Sequence, residues 1–319
     1  MNETIESKRR ALTEPFSVVD VPVGAAECYE QLGTKRKFWY TDDLGSMVLY
    51  KQSRSNTGEH WAEKVACELA SEIGIPHAHY DLAVCGTELG VVSPNFVPRQ
   101  GRLIHGNELF SSVDRGDDEH VRFYKNTNHT VKKVMRFLSL NAASVGAPEQ
   151  VPCEVDIQTA ADVFVGYLML DAWIGNTDRH HENWAIYIAR DGIRLAPSYD
   201  HASSLGRIER DERKQHMLET RDRYGSVEAY AMKARSAFYR TPDDRKAMLT
   251  LDAFQDAAAL RPRAAAAWVK RLRIIPDEVI AAIFRRVPDT HITDISRNFG
   301  MEMLRINRRR IVALMEEMQ

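Results

Sequence analysis

Residues 175–183 read Gly-Asn-Thr-Asp-Arg-His-His-Glu-Asn, and residues 195–201 read Leu-Ala-Pro-Ser-Tyr-Asp-His. Between them lie two apolar runs, Trp184–Ile188 and Ile193–Leu195, joined by Arg190-Asp191-Gly192. Polar residues and a glycine between β-rich runs are hairpin chemistry. The chain must therefore fold a loop, a hairpin and a second loop in close succession. Asp178, His180, Asn183 and Asp200 are set around that hairpin.

The rest of the chain shows what surrounds this unit. At 319 residues it is long enough for one large domain or two closely packed lobes. Strands are expected at Phe16–Val23, Lys37–Tyr40 and Ser46–Lys51, the last two joined by Asp42-Asp43-Leu44-Gly45. A helix is expected over 58–73, where Trp61, Val65, Leu69 and Ile73 recur at four-residue steps before Gly74. Two more strands follow near 79–85 and 89–97. After about Asp118 the pattern turns helical: 130–140, 157–174, 226–238, 250–260, 263–272, 276–285 and 299–317. A β-rich N-terminal lobe followed by a helical C-terminal lobe is an α+β order. The division expected is an arm over 1–14, an N-lobe over 15–105 and a C-lobe over 106–319, with the boundary near 98–118.

Composition narrows the function classes. Lys+Arg 43 against Asp+Glu 45 leaves a net charge of −2, so no global basic field points to a nucleic-acid partner. The four cysteines form no Cys-x-x-Cys pair, which speaks against a zinc site and a disulfide framework. The first thirteen residues are polar and charged, and no apolar run reaches a membrane span. A reducing cytoplasm is the expected setting.

A carboxylate and an amide five positions apart, with a second carboxylate 22 residues beyond the first, suit phosphoryl transfer. One carboxylate orients or deprotonates the attacking hydroxyl, while the amide oxygen and the other carboxylate hold Mg²⁺ against the phosphates. His180 and His181 raise a rival, a hydrolytic metal centre, which needs converging imidazoles. Adjacent histidines usually point apart, and His180 reads better as a brace for the loop. Lys51 ends the apolar strand Val48-Leu49-Tyr50, placed to grip phosphates as a point charge. The helix that follows carries Glu59, Glu63, Glu68 and Glu72; Glu63, deeper in the helix, is the preferred partner for Lys51, and a solvated face accounts for most of the others. The segment Leu32-Gly33-Thr34-Lys35-Arg36-Lys37-Phe38 offers backbone amides and cations to cover phosphates, with Gly33, Thr34 and Lys37 as the candidates. The run Arg207–Arg223 can dock an acidic protein or a phosphate, or can simply be a solvated, mobile segment. Arg305, Arg308, Arg309 and Arg310 read as a wet helical face.

Taken together, the 175–183 and 195–200 segments, Glu63, Leu69-Ala70 and Ile73-Gly74-Ile75-Pro76 make the chain resemble the HipA-like bacterial kinases over roughly residues 30 to 315. Asp178-Arg179-His180-x-x-Asn183 is also similar to the catalytic loop of phosphoinositide 3- and 4-kinases. The resemblance implies a bilobal, protein-kinase-like fold that uses ATP and Mg²⁺ on a protein serine or threonine. A lipid or small-molecule kinase and a nucleotide-binding regulator without transfer activity are the alternatives. By matching position Asp178 would be the base, Asn183 and Asp200 the metal ligands, and Lys51 a phosphate contact. The adenine hinge would fall at Ser93–Val97, through Asn95, Phe96 and Val97. HipA toxins carry a further N-terminal subdomain, whereas this chain starts almost at the phosphate loop. That difference speaks against the expectation of a DNA-binding antitoxin partner and a toxin role. The toxins' regulatory serine is replaced by Glu30, so self-inactivation at that position is not expected.

Overall fold

The computed structural model describes residues 13–29, 36–111 and 126–318. Its first half is a six-stranded sheet of β1 (Val18–Asp20), β2 (Cys28–Tyr29), β3 (Lys37–Thr41), β4 (Met47–Gln52), β5 (Asp81–Cys85) and β6 (Glu88–Pro94). The strand order is β1-β5-β6-β4-β3-β2, antiparallel except for the β1–β5 pair. The β3–β4 hairpin is set by its turn: Asp42 Oδ1 accepts from the Leu44 and Ser46 N–H groups at 3.0 and 2.7 Å, and Gly45 takes a φ of 77°. Side chains alternate along these strands. Phe38, Tyr40, Val48 and Tyr50 pack together on one face, which leaves Lys37, Trp39, Leu49 and Lys51 for the other.

Helix α1 (Glu59–Ile73) crosses the sheet, burying Trp61, Val65, Leu69 and Ile73 as their spacing predicts. It stops at Gly74, whose φ of 81° lets its N–H reach back to the Ala70 carbonyl.

The second half contains β7 (Arg102–His105), α2 (Gly106–Ser111), α3 (Val131–Leu140), β8 (Val145–Gly146), α4 (Ala160–Ile174), β9 (Ala185–Ala189) and β10 (Gly192–Leu195). Beyond these come α5 (Asp211–Glu219), α6 (Val227–Ala231), α7 (Thr250–Leu260), α8 (Pro262–Arg273), α9 (Asp277–Arg286) and α10 (Asp294–Glu317). The β9–β10 hairpin lies in a four-stranded sheet ordered β7-β9-β10-β8. Helix α4 is buried on every side. Its start is held by a capping box in which Thr159 and Asp162 satisfy each other's backbone N–H groups. α8 crosses it at Gly166, where a side chain would collide with the Trp268 indole, and Trp268 Nε1 donates to the Asp162 carbonyl at 2.8 Å. The fold is α+β, with a β-rich N-terminal lobe and a helical C-terminal lobe.

Three short strands, β2, β7 and β8, had no periodic signal to announce them. The expected helix 226–238 is helical only over Val227–Ala231. Beyond it Phe238 is drawn into the core, where it stacks on His129 with ring centroids 4.0 Å apart. The last helix begins earlier than the apolar spacing suggests, because the Thr293 hydroxyl caps it by accepting from the Ser296 N–H. The charged run 207–223 contains helix α5, with Lys214 and Met217 buried. The arginines of α10 are paired within the molecule: Arg305 with Glu302, Arg308 with Asp277, Arg309 with Glu228, and Arg310 with Asn307.

Trp268 is fully buried where α8 crosses α4. Trp268→Ala should lower the unfolding free energy by about 3–5 kcal/mol, the usual range for emptying a buried aromatic site. Urea unfolding followed by circular dichroism measures it.

Candidate active site

Lys51 extends from the cavity face of β4 and is 7% exposed. Its Nζ lies 2.7 Å from Asp200 Oδ1 and 3.3 Å from Glu63 Oε2. Burial alone would favour the neutral amine, but the Asp200 and Glu63 carboxylates outweigh it and hold the Lys51 pKa well above its ordinary value. Burial likewise pushes the Glu63 carboxyl upward; the Lys51 ammonium and a hydrogen bond with His201 bring it below the usual range instead. Glu63 therefore does two things. It pairs with Lys51, and its Oε1 accepts the His201 N–H at 2.6 Å, tying α1 to the segment around Asp200. The other helix glutamates are placed elsewhere: Glu59 binds Arg54 at 3.0 Å, Glu68 binds Lys64 at 2.7 Å, and Glu72 is exposed.

The loop after α4 is built around Arg179, which is fully buried. Its Nε and one terminal nitrogen donate to the two oxygens of Asp171 on α4, each at 2.8 Å. The remaining N–H groups reach the Asn183 carbonyl at 2.9 Å, the Ser198 hydroxyl at 2.8 Å and the Tyr199 carbonyl at 3.4 Å. One guanidinium thus fastens both loops that flank the hairpin. Asn176 completes the loop: its amide donates to Asp171, and its side-chain oxygen accepts the Asp178 N–H at 3.1 Å.

On this frame Asp178 stands at the cavity mouth with its side chain 43% exposed, accepting the Ser203 hydroxyl at 3.3 Å. His180 Nδ1 accepts the Glu182 N–H at 3.2 Å, so the ring proton sits on Nε2, 3.8 Å from Asp178 Oδ1. Burial lowers the His180 pKa, favouring the neutral ring. The His180 and His181 rings stand edge to face with centroids 5.9 Å apart, and His181 turns toward His129. Among the described residues no three His, Cys, Asp or Glu side chains converge on a common metal position. The Asn183 amide nitrogen donates to the Asp178 carbonyl at 2.6 Å, which leaves its side-chain oxygen as the atom to offer a cation. Asp200 adopts a φ of 59°, a left-handed conformation that Asp tolerates better than most residues. Its N–H donates to the Tyr80 hydroxyl at 3.3 Å, and the Lys51 ammonium lies 5.4 Å from the centroid of the Tyr80 ring.

Lys37, Lys51, Asp178, His180, Asn183 and Asp200 line one cavity of about 460 Å³ between the two sheets, with Glu63 and Arg179 buried behind its wall. Asn95, Phe96 and Val97 line its far end, where Phe96 stacks on Tyr199 with centroids 5.8 Å apart. The Asn95 N–H is held by the Met47 carbonyl and the Val97 N–H by Asn95 Oδ1. Gly33 and Thr34, together with Glu30, lie outside the described residues. Sequence reasoning overlooked Arg179, Asp171, Tyr80 and Tyr199. Asp171 did carry a signal: a carboxylate near the end of an otherwise apolar helix demands a buried partner.

With the geometry in place, comparison with known families is decisive. The model of the HipA-like C-terminal domain matches residues 32–279. The chain belongs to this family. Among solved structures, a Helicobacter pylori proinflammatory kinase, CtkA, superposes with a TM-score of 0.66 at 18% identity, covering 94% of this chain and 97% of that one. HipA from the Shewanella oneidensis MR-1 toxin–antitoxin system, in complex with HipB and its operator DNA, superposes with a TM-score of 0.50 at 13% identity, covering 99% of this chain and 72% of that one. Comparison with curated proteins gives no match. At these identities the superpositions establish the kinase-like fold that the family shares.

Breaking the buried pair in this HipA-like domain should be costly. Asp171→Asn leaves the Arg179 charge without its counter-ion and should reduce stability by about 3–5 kcal/mol in chemical denaturation. A loss below about 1 kcal/mol would mean that the backbone carbonyls alone satisfy Arg179.

Proposed function

We propose that this HipA-like protein is an ATP- and Mg²⁺-dependent kinase that phosphorylates a serine or threonine hydroxyl of a protein. The observation that carries the proposal is the Glu63–Lys51–Asp200 cluster on one wall of the cavity whose mouth holds Asp178. A buried ammonium held charged by two carboxylates is a fixed positive point aimed at phosphates. Lys37, paired with Lys51 across the β3–β4 ladder, adds a second cation on the same face, and Gly33 and Thr34 precede it in the chain. The adenine belongs against Asn95, Phe96 and Val97, where it must compete with the Asn95 side chain for the Val97 N–H.

The oxygen donors present fit a hard divalent cation: the Asn183 side-chain oxygen and the Asp200 carboxylate would hold Mg²⁺, with phosphate oxygens and water filling the other positions. When bound, Mg²⁺ supplies neutralisation of the phosphate charge. The acceptor hydroxyl enters beside Asp178, where the Ser203 hydroxyl now donates. Its oxygen bonds to the γ-phosphorus, the bond from that phosphorus to the β–γ bridging oxygen breaks, and the hydroxyl proton passes to Asp178. The Nε2 of His180 faces the Asp178 carboxylate at 3.8 Å, so the ring braces the loop beside it rather than bonding it directly. The named activity of the Helicobacter pylori neighbour, a kinase, supports this reading. Among the described residues no helix is long and apolar enough to cross a membrane, and all four cysteines are free thiols. A cytoplasmic setting, where ATP is at hand, is part of this proposal.

Asp178→Asn should lower turnover by on the order of 10²–10⁴-fold, the usual contribution of a positioned base, while nucleotide affinity stays within a few-fold of wild type. Transfer of label from γ-³²P-ATP to protein measures the first and calorimetry the second. Wild-type protein that neither binds nor turns over ATP with Mg²⁺ would refute the proposal.

A further inference from the structure

A second cavity, about 590 Å³, shares no residue with the first. It lies where the segment after Asp200 meets the N-terminal ends of α1 and α10. Arg207 is anchored there through its backbone: its carbonyl accepts the Gly58 N–H at 2.8 Å. Its side chain is only 14% exposed, yet the guanidinium makes no hydrogen bond to any described residue, and its buried Nε is engaged only in an ion pair. Glu59 Oε1 stands 3.4 Å from that nitrogen but already accepts from Arg54.

Lys214, on α5, is 2% exposed. Its ammonium has a single hydrogen bond, to the Ser296 hydroxyl at 2.7 Å, and the Trp61 ring lies beside it with its centroid at 5.7 Å. Among the described residues no carboxylate comes within 4.0 Å of it. Burial lowers the Lys214 pKa despite the more distant Asp211 and Glu209. Ser296 belongs to the first turn of α10, a 24-residue helix whose positive end points at this cavity. His291, also in the wall and 8% exposed, has a buried Nδ1 with no partner.

The acids nearby are engaged or turned outward. Glu209 pairs with Arg213 at 2.9 Å, Asp289 with Arg297 at 2.6 Å, Asp211 accepts the Ser296 hydroxyl at 3.1 Å, and Glu212 is exposed. A guanidinium held only by a shared ion pair, a buried ammonium whose nearest acid is reached through the Ser296 hydroxyl, an unpaired imidazole nitrogen and a helix N-terminus are an expensive set to bury together. A tetrahedral dianion answers all of them: it takes the planar fork of an arginine, the point charge of a lysine and the amides of a helix end.

We propose that this cavity is a binding site for a phosphate group, supplied either as free phosphate or as a phosphorylated hydroxyl side chain. Occupied, it ties Arg207, seven residues beyond Asp200, to the first turn of the helix that carries Glu63. The inference concerns binding alone and holds whether or not the protein transfers phosphate.

Isothermal titration calorimetry on the full chain tests it, with inorganic phosphate in one arm and O-phosphoserine in the other. Wild type should bind at least one of the two, and the tighter ligand identifies the source. Arg207→Gln and Lys214→Met should each weaken that binding by about tenfold or more, the scale of one lost charge-assisted contact. Arg207→Gln decides the matter if Lys214→Met unfolds, because Arg207 lies nearer the surface and far-UV circular dichroism can verify its fold. No binding of either ligand at millimolar concentration, or unchanged affinity in folded Arg207→Gln, would overturn the proposal.

Discussion

The site depends on the burial of Arg179. A guanidinium with no access to water must find acceptors for five N–H groups and a counter-charge. Asp171 supplies the charge from α4, a helix immobilised by being buried on every side. The remaining acceptors come from residues 183, 198 and 199, so satisfying one side chain pulls two loops onto one helix. Asp178 and Asn183 belong to the first loop and Asp200 to the second. Their relative placement follows from a structural ion pair that takes no part in the chemistry itself.

The second constraint joins the halves of the molecule. Lys51 comes from the first sheet, Asp200 from beyond the second, and Glu63 from the helix between them. Strand alternation sends Lys51 to the cavity face while Tyr50 goes to the core of the sheet. The Lys51 side chain is buried, so its attraction to the carboxylates is stronger than at a surface. The left-handed backbone at Asp200 is held because its own N–H bonds Tyr80 and the next N–H bonds Glu63. Strain of this kind persists where surrounding contacts over-determine it.

Much of this was legible in the residues, for physical reasons that differ from place to place. The four-residue steps in α1 marked its buried face and its end at Gly74. The polar groups around the β9–β10 hairpin announced themselves because turn geometry alone does not account for them. Among four helix glutamates, Glu63 was singled out by depth, and it is the one beside Lys51. Arg179 escaped because nothing local distinguishes a buried arginine from an exposed one; its burial depends on Asp171, eight residues earlier and on another element. β7 and β8 were illegible because strands this short owe their existence to the neighbours they pair with. The charged run after residue 207 read as solvated, yet Lys214 is buried, because the helix it forms turns that one position inward against α10. The Gly33 and Thr34 positions lie outside the described residues, so their expected contact with phosphates rests on the sequence.

In the proposed function Lys51, Asn183 and Asp200 form a donor site for a nucleotide and its metal. Calorimetric titration with a non-hydrolysable ATP analogue, with and without Mg²⁺, tests it most directly. Mg²⁺ should tighten binding by about tenfold or more, equivalent to about 1.4 kcal/mol, and Asp200→Asn should abolish this gain. Binding indifferent to Mg²⁺, or a gain that survives in Asp200→Asn, would contradict it.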